Sequence, residues 1–88
     1  MGRISCFSIE GILCWFNSQE HKPPHFHAKR RGEWEVRVYF LKPRAKMLEF
    51  KWRNERISKQ DRKILCDMVS NFRPELLKEW EEKVKYAD

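Results

Sequence analysis

Two consecutive prolines, Pro23 and Pro24, restrict the folds open to this chain more than any other feature of its sequence. Each proline fixes its φ angle and removes a backbone donor, so the segment around them is extended and cannot be helical. The prolines lead into residues 25–28, where the order His-Phe-His-Ala alternates imidazoles with apolar side chains. Because successive residues of a strand point to opposite faces, this order predicts a strand with His25 and His27 on one face.

Length and composition predict a single folded domain that comprises residues 1–88. A chain of 88 residues can build one modest hydrophobic core but not two. Hydrophobic residues make up 41% and aromatic residues 14% of the chain, which excludes a disordered protein in spite of its 36% charged residues. No apolar run approaches the roughly 20 residues that span a bilayer, so we expect no membrane partner. The three cysteines lack Cys-x-x-Cys spacing, which indicates reduced thiols and a cytoplasmic location.

The net charge of +6 is unevenly distributed along the chain. Basic side chains clearly outnumber acidic ones over residues 1–63, whereas residues 64–88 carry a small acidic excess. A basic body suits an anionic partner such as RNA, or a contact with another protein. The alternative interpretation is that these charges only solvate the surface, because charge balance predicts solubility better than it predicts a ligand.

Alternating apolar residues predict a sheet of five strands, built mainly as an antiparallel meander. The predicted strands comprise residues 4–9, 12–16, 25–29, 33–40 and 47–52. Glu10 and Gly11 form a two-residue loop between the first two strands. The glycine can supply the positive φ angle that such a turn requires.

The pairing of the third and fourth strands depends on the length of the loop between them. A two-residue loop, 31–32, would put both histidines on the apolar face, whereas a three-residue loop, 30–32, pairs Phe26 with Val36. Only the longer loop keeps the apolar side chains on one face, so we predict it, with Gly32 in a left-handed conformation. The predicted outward pairs are His27 with Glu35 and His25 with Arg37.

The fourth and fifth strands are predicted to pair on the same inner face, through a loop at residues 42–44. The predicted pairs are Val38 with Leu48, Val36 with Phe50 and Trp34 with Trp52. Trp34 and Trp52 therefore belong to the predicted core, as does Trp80 further along the chain.

Two helices are predicted after the sheet. Ser58 and Asp61 have the spacing of a capping box with aspartate in place of glutamate, and apolar residues at helical spacing follow as far as Phe72. Pro74 favours the first turn of a second helix, which has its own apolar stripe. Helices this short need tertiary packing. The predicted fold is therefore α+β, a five-stranded mainly antiparallel meander sheet with two C-terminal helices packed on one face.

Residues 21–28 have the order His-x-Pro-Pro-His-Phe-His-Ala, which resembles the Domain of Unknown Function 4160 family of small bacterial proteins. Further positions that resemble the family are Ile4-Ser5, Phe7, Gly11-Ile12, Phe16, Glu75-Leu76-Leu77 and Trp80-Glu81. The resemblance thus covers nearly the whole chain. It implies a component of a two-gene, toxin–antitoxin-like module with a small cognate partner protein. The family is uncharacterised, so the resemblance supplies no catalytic residues.

Three hypotheses account for the histidines, and the first is a metal site. His25 and His27 have a known ligand spacing on one strand face. His21 or Glu35 could complete the set of ligands. Imidazole together with carboxylate suits Zn, Ni, Fe or Cu, of which Zn or Ni is the expected ion, and no other cofactor is indicated.

The second hypothesis is metal-independent acid–base catalysis, as in a ribonuclease. His25 and His27 would transfer protons near neutral pH, and Glu35 would orient one of them. Arg37 would stabilise a developing negative charge. The basic residues expected to contact RNA beside this face are Lys29, Arg30, Arg31, Lys42 and Arg44.

The third hypothesis is that the motif is only a packing and turn device. His21 and His25 would hydrogen-bond backbone groups that the prolines leave unpaired, and Phe26 would fill the core. Under a functional hypothesis, the working surface is the outward sheet face that carries the histidines, and it acts on RNA or on a partner protein. An unpaired edge strand also allows a homodimer.

Overall fold

The structure, a computed structural model, describes residues 2–17, 19–52 and 56–86. Its elements are β1 (Gly2–Arg3), β2 (Leu13–Phe16), β3 (Gln19–Glu20), β4 (Phe26–Arg30), β5 (Trp34–Val38), β6 (Leu48–Phe50), α1 (Lys59–Lys83) and β7 (Lys85–Tyr86). Five strands form an antiparallel sheet in the order β1-β2-β4-β5-β6, so the predicted α+β class and five-stranded antiparallel sheet are confirmed. β3 and β7 form a separate parallel pair. Within the described ranges, no helix has both the length and the apolar character that crossing a bilayer requires.

One helix follows the sheet, so the prediction of two helices was wrong. The predicted start is confirmed, because the Ser58 side chain accepts a hydrogen bond from the Asp61 backbone N–H at 3.0 Å. The helix does not end before Pro74. Instead, α1 bends at Phe72, whose φ of −124° and ψ of 20° are not helical, and then continues. A proline placed just after such a bend occupies a first-turn position, where its missing N–H removes no hydrogen bond.

The apolar face of the sheet packs against α1 to form the core. Fully buried side chains come from both layers: Phe16, Phe26, Val38, Leu65, Val69, Leu76 and Trp80. The ring centroids of Phe16 and Trp80 lie 6.2 Å apart, which joins sheet to helix. Trp34 is 2% exposed, as predicted, but Trp52 is 58% exposed and the prediction for it was wrong. The reason is that β6 ends at Phe50, so Trp52 lies beyond the paired part of the strand.

The register between β4 and β5 differs from the predicted one by two residues. His27 pairs with Arg37 and not with Glu35, and the loop comprises residues 31–33. Gly32 has the predicted positive φ, at 78°. A shift of two residues leaves every side chain of β4 and β5 on its predicted face, because the side-chain period of a strand is two. The predicted pairs Val38 with Leu48 and Val36 with Phe50 between β5 and β6 are confirmed.

The first predicted strand, residues 4–9, was wrong over most of its length. β1 pairs with β2, and beyond β1 the Ile4 N–H donates to the Cys14 carbonyl. An isolated bridge joins Ile9 to Ile12 across the predicted turn, in which Gly11 has a φ of 80°. The backbone N–H groups of Ser5 and Cys6 donate instead to the Glu79 carboxylate, at 2.7 and 2.8 Å. A helix side chain thus replaces the strand partner in this segment.

Glu79 ties the N-terminal segment to α1. The side chain is buried, and the Lys83 ammonium donates to it at 2.6 Å. Burial raises the pKa of Glu79, but hydrogen bonds from Cys6, Lys83 and the Ser5 backbone outweigh burial and lower the pKa to about 2. The ionised carboxylate is therefore the form that stabilises the fold.

All three cysteines are free, as expected for reduced thiols. Cys66 is fully buried, while Cys6 and Cys14 are partly buried. Burial raises the pKa of the Cys14 thiol to about 12. At neutral pH this thiol is uncharged and packs as a small hydrophobic group.

We expect Glu79→Gln to reduce the free energy of unfolding by about 2 kcal/mol at pH 7, because an amide offers one acceptor oxygen where two backbone donors need a partner. The lowered pKa means that this stabilisation is complete above the usual value of 4.5 and is lost as the pH falls toward 2. Urea unfolding at pH 7 and at successively lower pH measures the effect. Glu82→Gln, an exposed change on the same helix, should alter stability by less than about 0.5 kcal/mol. A difference between wild type and Glu79→Gln that does not shrink in acid would contradict this role.

Candidate functional site

His27 lies at the centre of the outward sheet face. The register places Trp15 of β2 and Arg37 of β5 on either side of it. A cleft of about 450 Å³ opens on this face, and its lining includes His27, Lys29 and Glu35. Three of the four residues proposed as catalytic, His27, Glu35 and Arg37, thus line one cleft.

His25, the fourth of them, is buried rather than outward. It precedes β4 by one residue, is 4% exposed, and packs between Trp80 and Tyr39, with ring centroids 5.6 and 5.1 Å away. Its Nδ1 lies 2.9 Å from the carbonyl oxygen of Pro23. A carbonyl oxygen can only accept, so Nδ1 carries the proton and the neutral ring has its lone pair on Nε2. This is a backbone contact of the kind that the packing hypothesis predicted.

The Nε2 atom of His25 is buried and has no hydrogen-bond partner among the described residues. It approaches Oε2 of Glu20 at 3.4 Å, which is within ion-pair range, but the contact does not have hydrogen-bond geometry. The ring also meets that of His27 edge to face, with centroids 5.3 Å apart. The lone pair of His25 is therefore directed into a space shared with a second imidazole and a carboxylate.

Glu20 supplies that carboxylate from β3, which is held in place by its parallel pairing with β7. Its Oε1 lies 2.5 Å from Nε2 of His27 and accepts a hydrogen bond from Asn17 at 2.8 Å. Burial raises the pKa of Glu20, but the hydrogen bonds from His27 and Asn17 outweigh it and lower the pKa. Glu20 is thus ionised at neutral pH.

Asn17 and Trp15 orient this group from one side. The indole N–H of Trp15 can only donate, so its 3.1 Å contact fixes the oxygen of the Asn17 amide. The Asn17 amide nitrogen then faces Glu20, and also Nε2 of His27 at 3.0 Å. The Trp15 ring stacks on His27 with centroids 5.4 Å apart and an interplanar angle of 18°. The position of the His27 ring is therefore set before any ligand arrives.

Glu20, His25 and His27 form a group that could hold a metal ion. One ligand atom from each lies within 4.8 Å of the others. Metal bonds to imidazole and carboxylate are about 2.0–2.2 Å long, so a bound ion would replace the hydrogen bond between His27 and Glu20, and these atoms would have to adjust around it. Three protein ligands leave at least one coordination position for water or another ligand.

The structure groups Glu20, rather than the proposed His21 or Glu35, with the two histidines. His21 is exposed and follows Glu20 directly along the chain. Glu35 lies 3.2 Å from the ammonium of Lys51 on the neighbouring strand. Glu20 and Asn17 were not predicted as site residues, since nothing in their spacing marks them and the pairing of β3 with β7 positions Glu20.

The five basic residues proposed to contact RNA do not share one role. Arg30 forms a two-point ion pair with Asp61, Arg44 pairs with Asp67, and the Lys42 ammonium lies over the Tyr39 ring. Arg31 is exposed in the loop between β4 and β5. Of the five, only Lys29 lines the cleft beside His27.

We expect neutral His25 to carry its proton on Nδ1, because the Pro23 carbonyl can only accept. A long-range ¹H–¹⁵N spectrum of chelator-treated protein, recorded where the imidazoles are neutral, reports the proton position of each ring. Exposed His21 is an internal control and should show a mixture of both tautomers. A proton on Nε2 of His25 would contradict the assignment, because it would remove the inward lone pair.

Comparison with known proteins gives one family. The family model described as Domain of unknown function (DUF4160) matches residues 11–81. No curated protein and no solved structure matches the chain.

Proposed function

This chain belongs to the DUF4160 family, whose function is unknown, and we propose from its own geometry that it binds a divalent transition-metal ion. The proposed ligands are Glu20, His25 and His27. The observation that carries the proposal is the buried Nε2 lone pair of His25, which has no hydrogen-bond partner among the described residues and faces the other two ligands.

A metal ion accounts for this arrangement better than packing alone. A buried polar atom without a partner costs about 1–3 kcal/mol, and a bound cation removes that cost. The second ring nitrogen of a metal-binding histidine usually donates its N–H to a carbonyl or carboxylate oxygen, as Nδ1 of His25 does to the carbonyl of Pro23. Asn17 gives the Glu20 carboxylate a comparable outer support at 2.8 Å. These features favour a ligand set over a turn device.

The ligand types narrow the metal. Two imidazoles and one carboxylate suit Zn, Ni, Co or Fe(II), whereas Mg and Ca prefer oxygen ligands alone. A three-ligand site is typical of metals that keep a position open, and here His27 borders the cleft from which a further ligand would enter. We therefore favour Zn as the resident ion and a site that remains accessible.

We expect the purified chain to bind one Zn ion, and Glu20→Gln and His27→Gln each to weaken binding by at least about 100-fold. Isothermal titration calorimetry of chelator-treated protein measures the affinity, and elemental analysis after desalting measures the stoichiometry. Added Zn should also raise the unfolding temperature of the wild type. At a free Zn concentration of 100 times the dissociation constant, the expected gain in the free energy of unfolding is about 2.7 kcal/mol.

His21→Ala is the matched control for this experiment. It removes the exposed histidine next to Glu20, and Zn affinity should stay at the wild-type value. Circular dichroism of each metal-free variant establishes that the fold is intact. Loss of binding in His21→Ala with full binding in Glu20→Gln would overturn the proposed ligand set, and wild type without stoichiometric metal would overturn the function.

A second proposal follows from family membership and from the positive charge of the chain. It places the protein in the cytoplasm, as part of a two-gene, toxin–antitoxin-like module in which its outward face contacts RNA or a cognate protein. The cations of the cleft, Lys29, Arg37 and Lys51, support it.

Co-expression with the product of the adjacent gene, with Arg37→Gln as the test variant, measures partner binding. Co-purification that Arg37→Gln leaves unchanged would count against this face.

A further inference from the structure

We infer that the cleft beside the metal ligands binds a phosphate group, with one phosphate oxygen in the open coordination position of the ion. This inference rests on the proposed metal site and specifies the class of ligand that the site takes. It is carried by the charge and the register of the cleft residues.

The charged lining of the cleft is mostly basic. Lys29, Arg37 and Lys51 contribute three positive charges, and Glu35 contributes the one negative charge of the described lining. Metal binding requires the carboxylate and both imidazoles to be deprotonated, so a divalent ion held by these three ligands would give the ligand group a net positive charge. The combined field favours an anion that carries more than one negative charge.

The existing ion pairs leave these cations available. Arg37 and Glu49 meet at 3.0 Å with each side chain more than half exposed, and the Lys51 side chain is 53% exposed where it meets Glu35. The exposed Arg37–Glu49 pair contributes about 0–1 kcal/mol, so an incoming anion can replace it at small cost, whereas the Glu35 partner of Lys51 is only 18% exposed. Lys29 forms no ion pair with any residue that the structure describes.

The sheet register brings two of the cations next to His27. Arg37 is the direct partner of His27 on β5, and Lys29 lies two residues further along β4 on the same face. Side chains at such positions are about 5–8 Å apart, which is the span of a phosphate that contacts an ion bound at His27 and a cation beside it. A guanidinium is also the group that grips phosphate oxygens in pairs.

A phosphate matches this arrangement better than a carboxylate does. A phosphate monoester has three terminal oxygens, so one can bind the ion while the other two reach Arg37 and Lys29. A carboxylate has only two oxygens and a single negative charge. The cleft volume of about 450 Å³ lies in the range of small-ligand sites and leaves room for the group that the phosphate is attached to.

Cobalt is the probe that tests this inference, because the visible spectrum of Co²⁺ reports its coordination. Wild-type protein is first loaded with Co²⁺, the bound metal is measured, and methyl phosphate is then titrated in, with acetate in a parallel titration. We expect methyl phosphate to change the spectrum in a saturable way and acetate to do so only at much higher concentration. Arg37→Gln and Lys29→Gln should each raise the methyl phosphate dissociation constant about tenfold.

The controls separate the two proposals. Lys78→Gln removes an exposed charge on α1 and should bind methyl phosphate like the wild type, and all three variants should take up Co²⁺ fully. Three results with Co²⁺-loaded protein would overturn the phosphate inference while the metal site stands. They are a spectrum that does not change with methyl phosphate, an affinity for acetate equal to that for methyl phosphate, and a methyl phosphate affinity that Arg37→Gln leaves unchanged. A protein that fails to load Co²⁺ at the first step overturns the metal site and, with it, this inference.

Discussion

The carboxylate of Asp61 holds sheet and helix in one arrangement, and the geometry of the site depends on it. Arg30, the last residue of β4, donates to both of its oxygens at 2.8 Å, and the indole of Trp34, the first residue of β5, donates at 3.2 Å. The backbone N–H of Asp61 bonds in turn to the capping Ser58. Hydrogen bonds from Arg30 lower the pKa of Asp61 against the effect of burial, so the carboxylate remains ionised. One side chain thus fixes the end of β4, the start of β5 and the start of α1.

That constraint explains why His27 meets Arg37. Because Asp61 holds Arg30 within β4, the loop between β4 and β5 comprises residues 31–33 and not the predicted 30–32, and Arg30 pairs with Trp34. Each pair further along the ladder follows from this one, including the pair of His27 with Arg37 that defines the cleft. A contact made at the opposite end of the strand therefore decides which charged residue lies beside the candidate metal centre.

Local signals in the sequence predicted much of this fold, and contacts between distant residues account for what was missed. Residues close in sequence determine which strand side chains face inward and whether Ser58 caps the helix, so local sequence patterns predict both features. The β4–β5 register depends on a contact between residues 31 apart, and the lost first strand on Glu79, more than 70 residues from its partners. The site divides in the same way. Both histidines are visible as a motif, whereas Glu20 joins them through the pairing of two short strands that lie far apart in the sequence.

The site also connects the two ends of the chain, which gives ligand binding a consequence for the fold. Trp80 of α1 packs on His25, and the strand that follows α1 positions Glu20 through the β3–β7 pair. An ion held by Glu20 and His25 would therefore fasten the loop around the prolines to the C-terminal end of the helix. A ligand that binds only the folded chain stabilises the fold by mass action. A chain of 88 residues has a small core, so a fastening of this kind would contribute a substantial share of its stability. Under the metal proposal, the Nε2 lone pair of His25, which has no partner among the described residues, would gain one when the ion binds.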